Sequence, residues 1–164
     1  MQQTIYLAGG CFWGIQGYFD LLKGVVSSQV GYANSKIPSP NYTLVCTGQT
    51  GATEALELIF EESILSLNEI LKRFFSIIDP FALNYQGNDF GTQYRSGIFT
   101  QDLTMLKEIQ SFVDTLQKTL TQQIQTEIGM LENFYLAESY HQKYLAKNPQ
   151  GYCHIDLSKA LEEI

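Results

Sequence analysis

Apolar residues follow two different spacings along the chain, and each spacing predicts a different kind of element. Short apolar runs, several of them rich in β-branched and aromatic side chains, predict strands at residues 4–8, 25–32, 54–60, 96–100 and 128–134. Longer segments with apolar residues every three or four positions predict helices at residues 12–22, 67–78, 102–121 and 137–146. Ser66 and Glu69 fit a capping box at the start of the second helix, and Pro80 sets its end at about Ile78.

The order of these elements predicts the fold class. Strands and helices are interleaved at irregular distances, and some strands follow one another without a helix between them. This order favours an α+β fold, with helices packed on a mixed or mostly antiparallel sheet, over a doubly wound parallel sheet. No linker, repeat or low-complexity tract divides the chain, so we expect one catalytic domain over residues 1–164 with a mobile tail from about residue 148.

Composition and charge argue against some classes of binding partner. The 164 residues are 45% hydrophobic, which suits a globular protein, and the formal net charge is −7. An acidic chain without a Lys/Arg cluster argues against non-specific binding to nucleic acid or to an anionic membrane. The sequence has no signal-peptide pattern and no apolar stretch of membrane-helix length, so we expect a cytoplasmic protein.

The sharpest local feature is a cysteine at the junction between a predicted strand and a predicted helix. It lies in the segment Gly9-Gly10-Cys11-Phe12-Trp13-Gly14. Unpaired N–H groups and the positive dipole end of a helix favour a thiolate, so this position predicts a lowered pKa for Cys11. The segment fits a buried, unreactive cysteine beside core aromatics about equally well. The three cysteines, an odd number, do not suggest a structural disulfide framework.

Further motifs occur in an order that resembles the class A peptide methionine sulfoxide reductases. They run from near the start of the chain to its last tenth: Gly10-Cys11-Phe12-Trp13-Gly14, Thr50-Gly51-Ala52-Thr53-Glu54-Ala55, Gly87-Asn88-Asp89-Phe90-Gly91-Thr92-Gln93-Tyr94-Arg95-Ser96, and Ala137-Glu138-Ser139-Tyr140-His141-Gln142 with Lys147-Asn148-Pro149. A single five-residue motif recurs by chance, whereas four blocks in order are a strong signal. The resemblance implies a ferredoxin-like split βαβ core, which agrees with the α+β expectation.

The resemblance implies reduction of methionine-(S)-sulfoxide, free or in proteins, to methionine. The sulfur of a sulfoxide becomes electrophilic when its oxygen is protonated or hydrogen-bonded, so the site needs a thiolate, an acid and donors to oxygen. Carried over by position, Cys11 is the nucleophile and Glu54 is an acid that an apolar setting keeps protonated. The other implied members are Tyr42 and Tyr94 as hydroxyl donors, Asp89 in a supporting role, and Phe12 and Trp13 around the substrate S-methyl group.

Recycling is implied by the same resemblance. Attack on the sulfoxide leaves a sulfenic acid on Cys11, and such groups condense with a nearby thiol. The tail segment Gly151-Tyr152-Cys153 resembles the family's C-terminal element, so Cys153 is the implied resolving cysteine. Thioredoxin would then reduce the Cys11–Cys153 disulfide, without a cofactor or metal, in a monomeric enzyme. Cys46 has strand-like neighbours that predict a buried, inert thiol, and it remains a second candidate for the resolving role.

The chain departs from the family pattern in two places. Ala52-Thr53 replaces the usual His-Ala before Glu54, and no further cysteine follows Cys153, where the tail predicts a short helix. Taken singly, Glu54 and the two tyrosines also fit ordinary exposed side chains, and Asp89 fits a turn former.

Three other functions remain open at the level of the sequence. A Cys/His hydrolase would pair Cys11 with His141 or His154, although His141 suits a structural role better. A thiol peroxidase would use Cys11 and a resolving thiol but needs no protonated Glu54. A non-catalytic peptide-binding module would use the aromatic residues alone.

Overall fold

The computed structural model describes residues 1–164 and forms eight strands, five α-helices and three 3-10 turns. The strands are β1 Gln2–Ala8, β2 Val25–Ala33, β3 Thr53–Glu61, β4 Tyr85–Gln86, β5 Asp89–Phe90, β6 Gly97–Thr100, β7 Glu127–Met130 and β8 Phe134–Leu136. The helices are α1 Phe12–Phe19, α2 Tyr42–Cys46, α3 Leu67–Ile77, α4 Leu103–Lys118 and α5 Tyr144–Lys147. The 3-10 turns are Thr92–Tyr94, Ser139–His141 and Leu157–Leu161.

Six of the strands form one mixed sheet in the order β7-β6-β1-β3-β2-β8, and β4 and β5 form a separate small hairpin. Strands β1 and β2 both run antiparallel to β3, which lies between them, and β6 runs antiparallel to β1. Only β6 and β7 pair in parallel. This mixed sheet with packed helices confirms the predicted α+β class.

The main core lies between one face of the sheet and the helices. Alternate residues of β3, Leu56, Leu58 and Phe60, are fully buried there, as the two-residue period of a strand requires. Helices α1, α3 and α4 supply the facing side chains, of which Phe19 and Phe74 are fully buried. The other face of the sheet carries only a small cluster: Tyr6, Ala8, Ala33, Ala55 and Phe99. No helix is long and apolar enough to span a membrane.

The predicted helix over residues 137–146 is wrong. The structure has a 3-10 turn at Ser139–His141 and then the short α5, with Lys143 in the left-handed region at φ 54°. The Gln142 side chain explains the break, because it accepts from Val30 N at 2.9 Å and donates to Val30 O at 2.8 Å. These two bonds fix the segment to the edge of β2 and prevent a continuous helix.

The predicted strand over residues 128–134 is two strands at opposite edges of the sheet. Strand β7 pairs with β6, whereas β8 pairs with β2. Between them the chain is held by the Asn34 side chain, which accepts from Glu132 N at 2.8 Å, and by Asn34 N, which donates to Asn133 O at 2.9 Å. The apolar run therefore crosses the outer face of the sheet, where Leu131 and Phe134 pack on the small cluster.

Two further expectations are corrected around Cys46 and at the third helix. The segment at Cys46 is the short helix α2, not a strand, and its thiol is exposed, not buried. Ser66 does cap α3 by accepting from Glu69 N at 3.1 Å, but the Glu69 side chain pairs with Arg73 at 3.1 Å and does not complete the capping box.

Candidate active site

The turn between β1 and α1 presents Cys11 at the first turn of the helix. Gly10 allows this turn because its φ of 89° is a backbone conformation that glycine adopts without strain. Cys11 is the N-cap of α1, and its side chain is only 8% exposed. Burial and the neighbouring Glu54 raise the pKa of the Cys11 thiol, more than the Trp13 backbone N–H lowers it. The expected low pKa is therefore not found, because burial outweighs the helix terminus.

Glu54 lies near the start of β3 and faces the same turn. The residue is 1% exposed, and its Oε1 accepts from Phe12 N at 3.2 Å. Its Oε2 is buried without a hydrogen-bond partner. Burial, with a further contribution from Asp89, raises the pKa of Glu54 to about 8. At neutral pH the carboxyl group is protonated, as the sequence predicted, and it has one oxygen free to act towards a ligand.

Tyr42 is the first residue of α2 and is half-buried. Its backbone N–H donates to Glu138 Oε2 at 2.9 Å, and its ring lies 4.6 Å from that of His141. Burial raises the pKa of Tyr42, with Cys46 and Glu54 contributing in the same direction. The hydroxyl therefore stays protonated and can donate a hydrogen bond.

Tyr94 ends the 3-10 turn Thr92–Tyr94 and is also half-buried. The hydroxyl of Thr53 holds this turn against β3 by donating to Gln93 O at 3.1 Å and to Arg95 O at 2.9 Å. Burial raises the pKa of Tyr94, and the neighbouring Glu54 makes the next largest contribution in the same direction. Both tyrosine hydroxyls therefore lie within electrostatic range of Glu54, so the structure brings the predicted acid and donors together.

The two aromatic residues after Cys11 differ in exposure. Phe12 is 1% exposed and packs in the core between Tyr32 and His141, at ring distances of 5.8 and 5.2 Å. Trp13 is half-buried and stacks on Tyr144 at 3.7 Å, while its Nε1 donates to His141 Nδ1 at 3.0 Å. Trp13 is thus the more exposed of the two rings, and both rings pack against His141.

The C-terminal tail, which carries Cys153, contacts Asp89 through the residue before this cysteine. The Tyr152 hydroxyl donates to Asp89 Oδ2 at 2.9 Å, which joins the tail to the hairpin β4–β5. The next residue, Cys153, is half-buried over α1, where its Sγ would lie 3.2 Å from a Cβ added at Gly14. Gly14 follows Cys11 by three residues, so the tail thiol lies over the first turn of α1, close enough to contribute to the raised pKa of Cys11.

Comparison with known proteins identifies the family. A family model described as peptide methionine sulfoxide reductase matches residues 3–164. The chain belongs to this family. The peptide methionine sulfoxide reductase MsrA of Malacoplasma penetrans is 52% identical over 157 residues, which cover 96% of this chain and 98% of the relative. The enzyme class expected from the sequence motifs, a thiol-dependent methionine sulfoxide reductase, is confirmed.

Solved structures agree with this assignment. The reduced form of Mxr1 from Saccharomyces cerevisiae has a TM-score of 0.86 and 42% identity, covering 93% of this chain and 88% of Mxr1. The same yeast protein in complex with Trx2 matches with a TM-score of 0.62 and 27% identity, covering 87% of this chain and 84% of the matched chain.

Three residues beside this methionine sulfoxide reductase site have contacts that the sequence did not predict: it assigned no role to Glu138 or Thr53 and only a general structural one to His141. Glu138 accepts from the Tyr32 hydroxyl at 2.7 Å as well as from Tyr42 N, so it ties α2 to the sheet. His141 is buried and orients the Trp13 indole. Thr53 holds the turn of Tyr94. All three lie within or beside the family motifs, but their roles depend on contacts with residues distant in sequence, which no local pattern reveals.

Proposed function

We propose that Cys11 attacks the sulfur of methionine-(S)-sulfoxide while Glu54 protonates its oxygen. The observation that carries this proposal is the Oε2 atom of Glu54, which is buried, unpartnered and part of a carboxyl group that is protonated at neutral pH. An unpaired buried polar atom is costly unless a ligand satisfies it. A sulfoxide oxygen is such a ligand, because it accepts a hydrogen bond and needs a proton to leave sulfur.

The first step balances without an external reagent. Glu54 gives its proton to the sulfoxide oxygen, Cys11 attacks the sulfur, and the thiol proton returns to the Glu54 carboxylate. The oxygen then passes to Cys11, which is oxidised to the sulfenic acid, while the substrate sulfur is reduced to methionine. Tyr42 and Tyr94 donate hydrogen bonds to the same oxygen and stabilise its developing charge. Trp13, supported by Phe12, holds the S-methyl group, and Asp89 supports the site through Tyr152.

The second step uses Cys153 as the resolving thiol. Its sulfur attacks the Cys11 sulfenic sulfur and releases water, and thioredoxin then reduces the Cys11–Cys153 disulfide. The position of Cys153 over the first turn of α1 supports this pairing. The match to the yeast Mxr1–Trx2 complex supports thioredoxin as the class of reductant. Cys46 lies beside Tyr42, on α2, and is the second candidate for resolution.

The finer description of the molecule belongs to the same proposal. The order β6-β1-β3-β2, with α1 between β1 and β2, supports a ferredoxin-like split βαβ core. We propose one catalytic domain over residues 1–164, acting as a cytoplasmic monomer, which suits its three free thiols. In this proposal the tail from about residue 148 moves during the cycle so that Cys153 reaches Cys11.

The rival functions fit the site less well. In a Cys/His hydrolase a histidine must hydrogen-bond the nucleophile, whereas His141 bonds Trp13 and His154 bonds the Gly9 carbonyl. A thiol peroxidase has no use for a buried, protonated Glu54. A peptide-binding module has no use for a tail thiol held over the helix turn that carries Cys11.

A single-turnover assay tests the proposal. Reduced protein is mixed with N-acetyl-methionine sulfoxide, both epimers are quantified, and the protein is analysed by mass spectrometry. We expect loss of the S epimer alone and a Cys11–Cys153 disulfide. Cys11→Ser should form no product, and Cys153→Ser should complete one turnover but fail to recycle with thioredoxin. Cys46→Ser is the matched control and should recycle normally; sustained turnover by Cys153→Ser with failure of Cys46→Ser would move the resolving role to Cys46.

A further inference from the structure

The tail residues Cys153 and His154 pack closely against two glycines of the active-site segment, Gly10 and Gly14. A Cβ at Gly14 would lie 3.2 Å from Cys153 Sγ and 3.2 Å from His154 Nδ1. A Cβ at Gly10 would lie 2.8 Å from His154 Nε2. These separations are shorter than ordinary carbon contacts, so a side chain at Gly14 would press on the tail, and one at Gly10 would press on both the tail and Gln86. The two glycines thus bring the tail histidine onto the turn that carries Cys11.

The hydrogen bonds of His154 fix which ring nitrogen carries the proton. Its Nε2 lies 2.8 Å from the Gly9 carbonyl oxygen, and a carbonyl only accepts. Nε2 therefore carries the hydrogen and donates it. Nδ1 is then the bare nitrogen of a neutral ring, and it is buried without a hydrogen-bond partner. A fixed imidazole with one free lone pair is the form in which histidine accepts a proton.

The thiol of Cys153 and this free nitrogen face the same turn of α1. Cys153 Sγ and His154 Nδ1 are each 3.2 Å from the same point, the position of a Cβ on Gly14. In the resting structure the thiol donates to the Ile155 carbonyl oxygen at 3.1 Å, which keeps its proton in place. Rotation of the Cys153 side chain away from Ile155 breaks this bond and frees the S–H group on the side of α1 that Nδ1 also faces.

We propose that His154 is the proton acceptor for Cys153 in the step that forms the disulfide, an inference that rests on the proposed function. Nδ1 takes the proton from Cys153 Sγ, and the sulfur attacks the Cys11 sulfenic acid. The new S–S bond forms as the S–O bond breaks, and the hydroxide leaves with the proton from Nδ1 as water. Cys153 is oxidised from thiol to disulfide, and Cys11 is reduced from sulfenic acid to disulfide.

The charges around His154 set the pH at which it works. Burial lowers the pKa of His154, more than the Gly9 carbonyl and Asp89 raise it, so the ring is neutral at pH 7. The other titratable groups on this side are Asp89, which accepts from Tyr152, Asp156, whose charge raises the pKa of Cys153, and the two thiols, whose pKa values burial raises. Glu54, with a pKa of about 8, also titrates near neutral pH, but its charge raises the pKa of Cys11 and not that of Cys153.

The test separates the two steps of one turnover. Reduced enzyme is mixed with one equivalent of N-acetyl-methionine sulfoxide, and samples are quenched with a thiol alkylator at timed intervals. The experiment is repeated over a range from about pH 5.5 to about pH 9. Methionine formed reports the first step, and the disulfide measured by mass spectrometry reports the second. In the wild type the rate of the second step should rise with pH while His154 loses its proton, which is complete by about pH 6.5, and should stay constant at higher pH.

The decisive variant is His154→Gln, whose amide can still donate to the Gly9 carbonyl but cannot take a proton at neutral pH. We expect an unchanged first step and a second step slowed by about 100-fold at pH 7, with a rate that keeps rising towards pH 9. Lys159→Gln, an exposed change in the same tail, is the control and should match the wild type.

Two outcomes would overturn the proposal, and a third concerns the first step. A wild-type rate and pH profile in His154→Gln, with a slow His154→Ala, would leave His154 only a docking role. Wild-type behaviour in both variants would leave it no role in the second step. Failure of the wild type to form methionine would instead reject the proposed function, so the two failures are distinguishable.

Discussion

At the scale of single residues, the chemistry depends on the protonation of one buried carboxyl group. Glu54 is removed from water, and its pKa rises to about 8 because burial penalises the charged form. The thiol of Cys11 is buried beside it, and its pKa is also raised. Both groups therefore hold their protons at neutral pH, and in the proposed mechanism one proton moves onto the substrate oxygen as the other returns to Glu54.

This pairing predicts the pH dependence of the first step. The single-turnover rate of methionine formation should fall as the pH rises through about 8, because Glu54 then loses the proton that it must donate. Glu54→Gln should react about 10²–10⁴-fold more slowly and show no fall centred on that pH. Glu108→Gln, on the exposed face of α4, is the matched control. A wild-type rate that keeps rising above pH 8, or a fully active Glu54→Gln, would reject Glu54 as the acid.

At the scale of elements, helix α3 anchors the C-terminal tail through one buried cation. The Arg73 guanidinium donates to the Tyr18 hydroxyl at 3.1 Å and to the backbone oxygens of Ala160 at 3.5 Å and Glu162 at 2.9 Å. Ile155 and Ala160 of the tail are buried in the main core. The segment that carries Cys153 is therefore fixed at its far end, so the tail movement proposed for the cycle must fall on the residues before Ile155.

Removal of this anchor predicts a loss of tail order with the first step intact. Arg73→Met keeps the apolar stem but leaves the Tyr18 hydroxyl and two carbonyl oxygens without their donor, which costs about 1–3 kcal/mol of stability. Amide hydrogen exchange over residues 155–164 should increase, and disulfide formation should slow. Lys72→Met, the exposed neighbour, should change neither. Unchanged exchange in Arg73→Met would show that apolar packing alone holds the tail.

At the scale of the whole molecule, the site is assembled from segments far apart in sequence. Cys11 comes from the first turn, Glu54 from the central strand, Tyr94 from a later turn and Cys153 from the tail. Folding therefore also builds the low-dielectric setting that keeps Glu54 protonated. In the unfolded chain this carboxyl group is solvated and ionises near its ordinary value of 4.5.

The buried carboxyl group predicts how the stability of the fold depends on pH. Between about pH 4.5 and about pH 8 the folded protein keeps the Glu54 proton while the unfolded chain releases it. The contribution of Glu54 to stability is thus fully present below about pH 4.5 and is lost as the pH rises, on the order of a few kcal/mol. Denaturant titrations of the wild type and of Glu54→Gln should show a steeper fall over this range in the wild type. Parallel curves would mean that Glu54 is ionised in the folded protein.

The local sequence determined much of the fold and singled out Cys11 as the candidate nucleophile. Period-two and helical patterns located β1, β2, β3, α3 and α4 to within a few residues, because an amphipathic element must bury its apolar face wherever it packs. Two glycines after a strand placed Cys11 on a turn, and the ordered motifs identified the family. These features depend only on residues close together in the chain.

Tertiary structure decided what depends on distant contacts. The bonds of Gln142 to Val30 broke a segment with helical pattern, and the contacts of Asn34 split one apolar run between two edges of the sheet. Burial beside Glu54 reversed the direction expected for the pKa of Cys11, and the fold left the Cys46 thiol exposed. Desolvation and long-range hydrogen bonds arise only when separate segments pack together, so no local pattern encodes them.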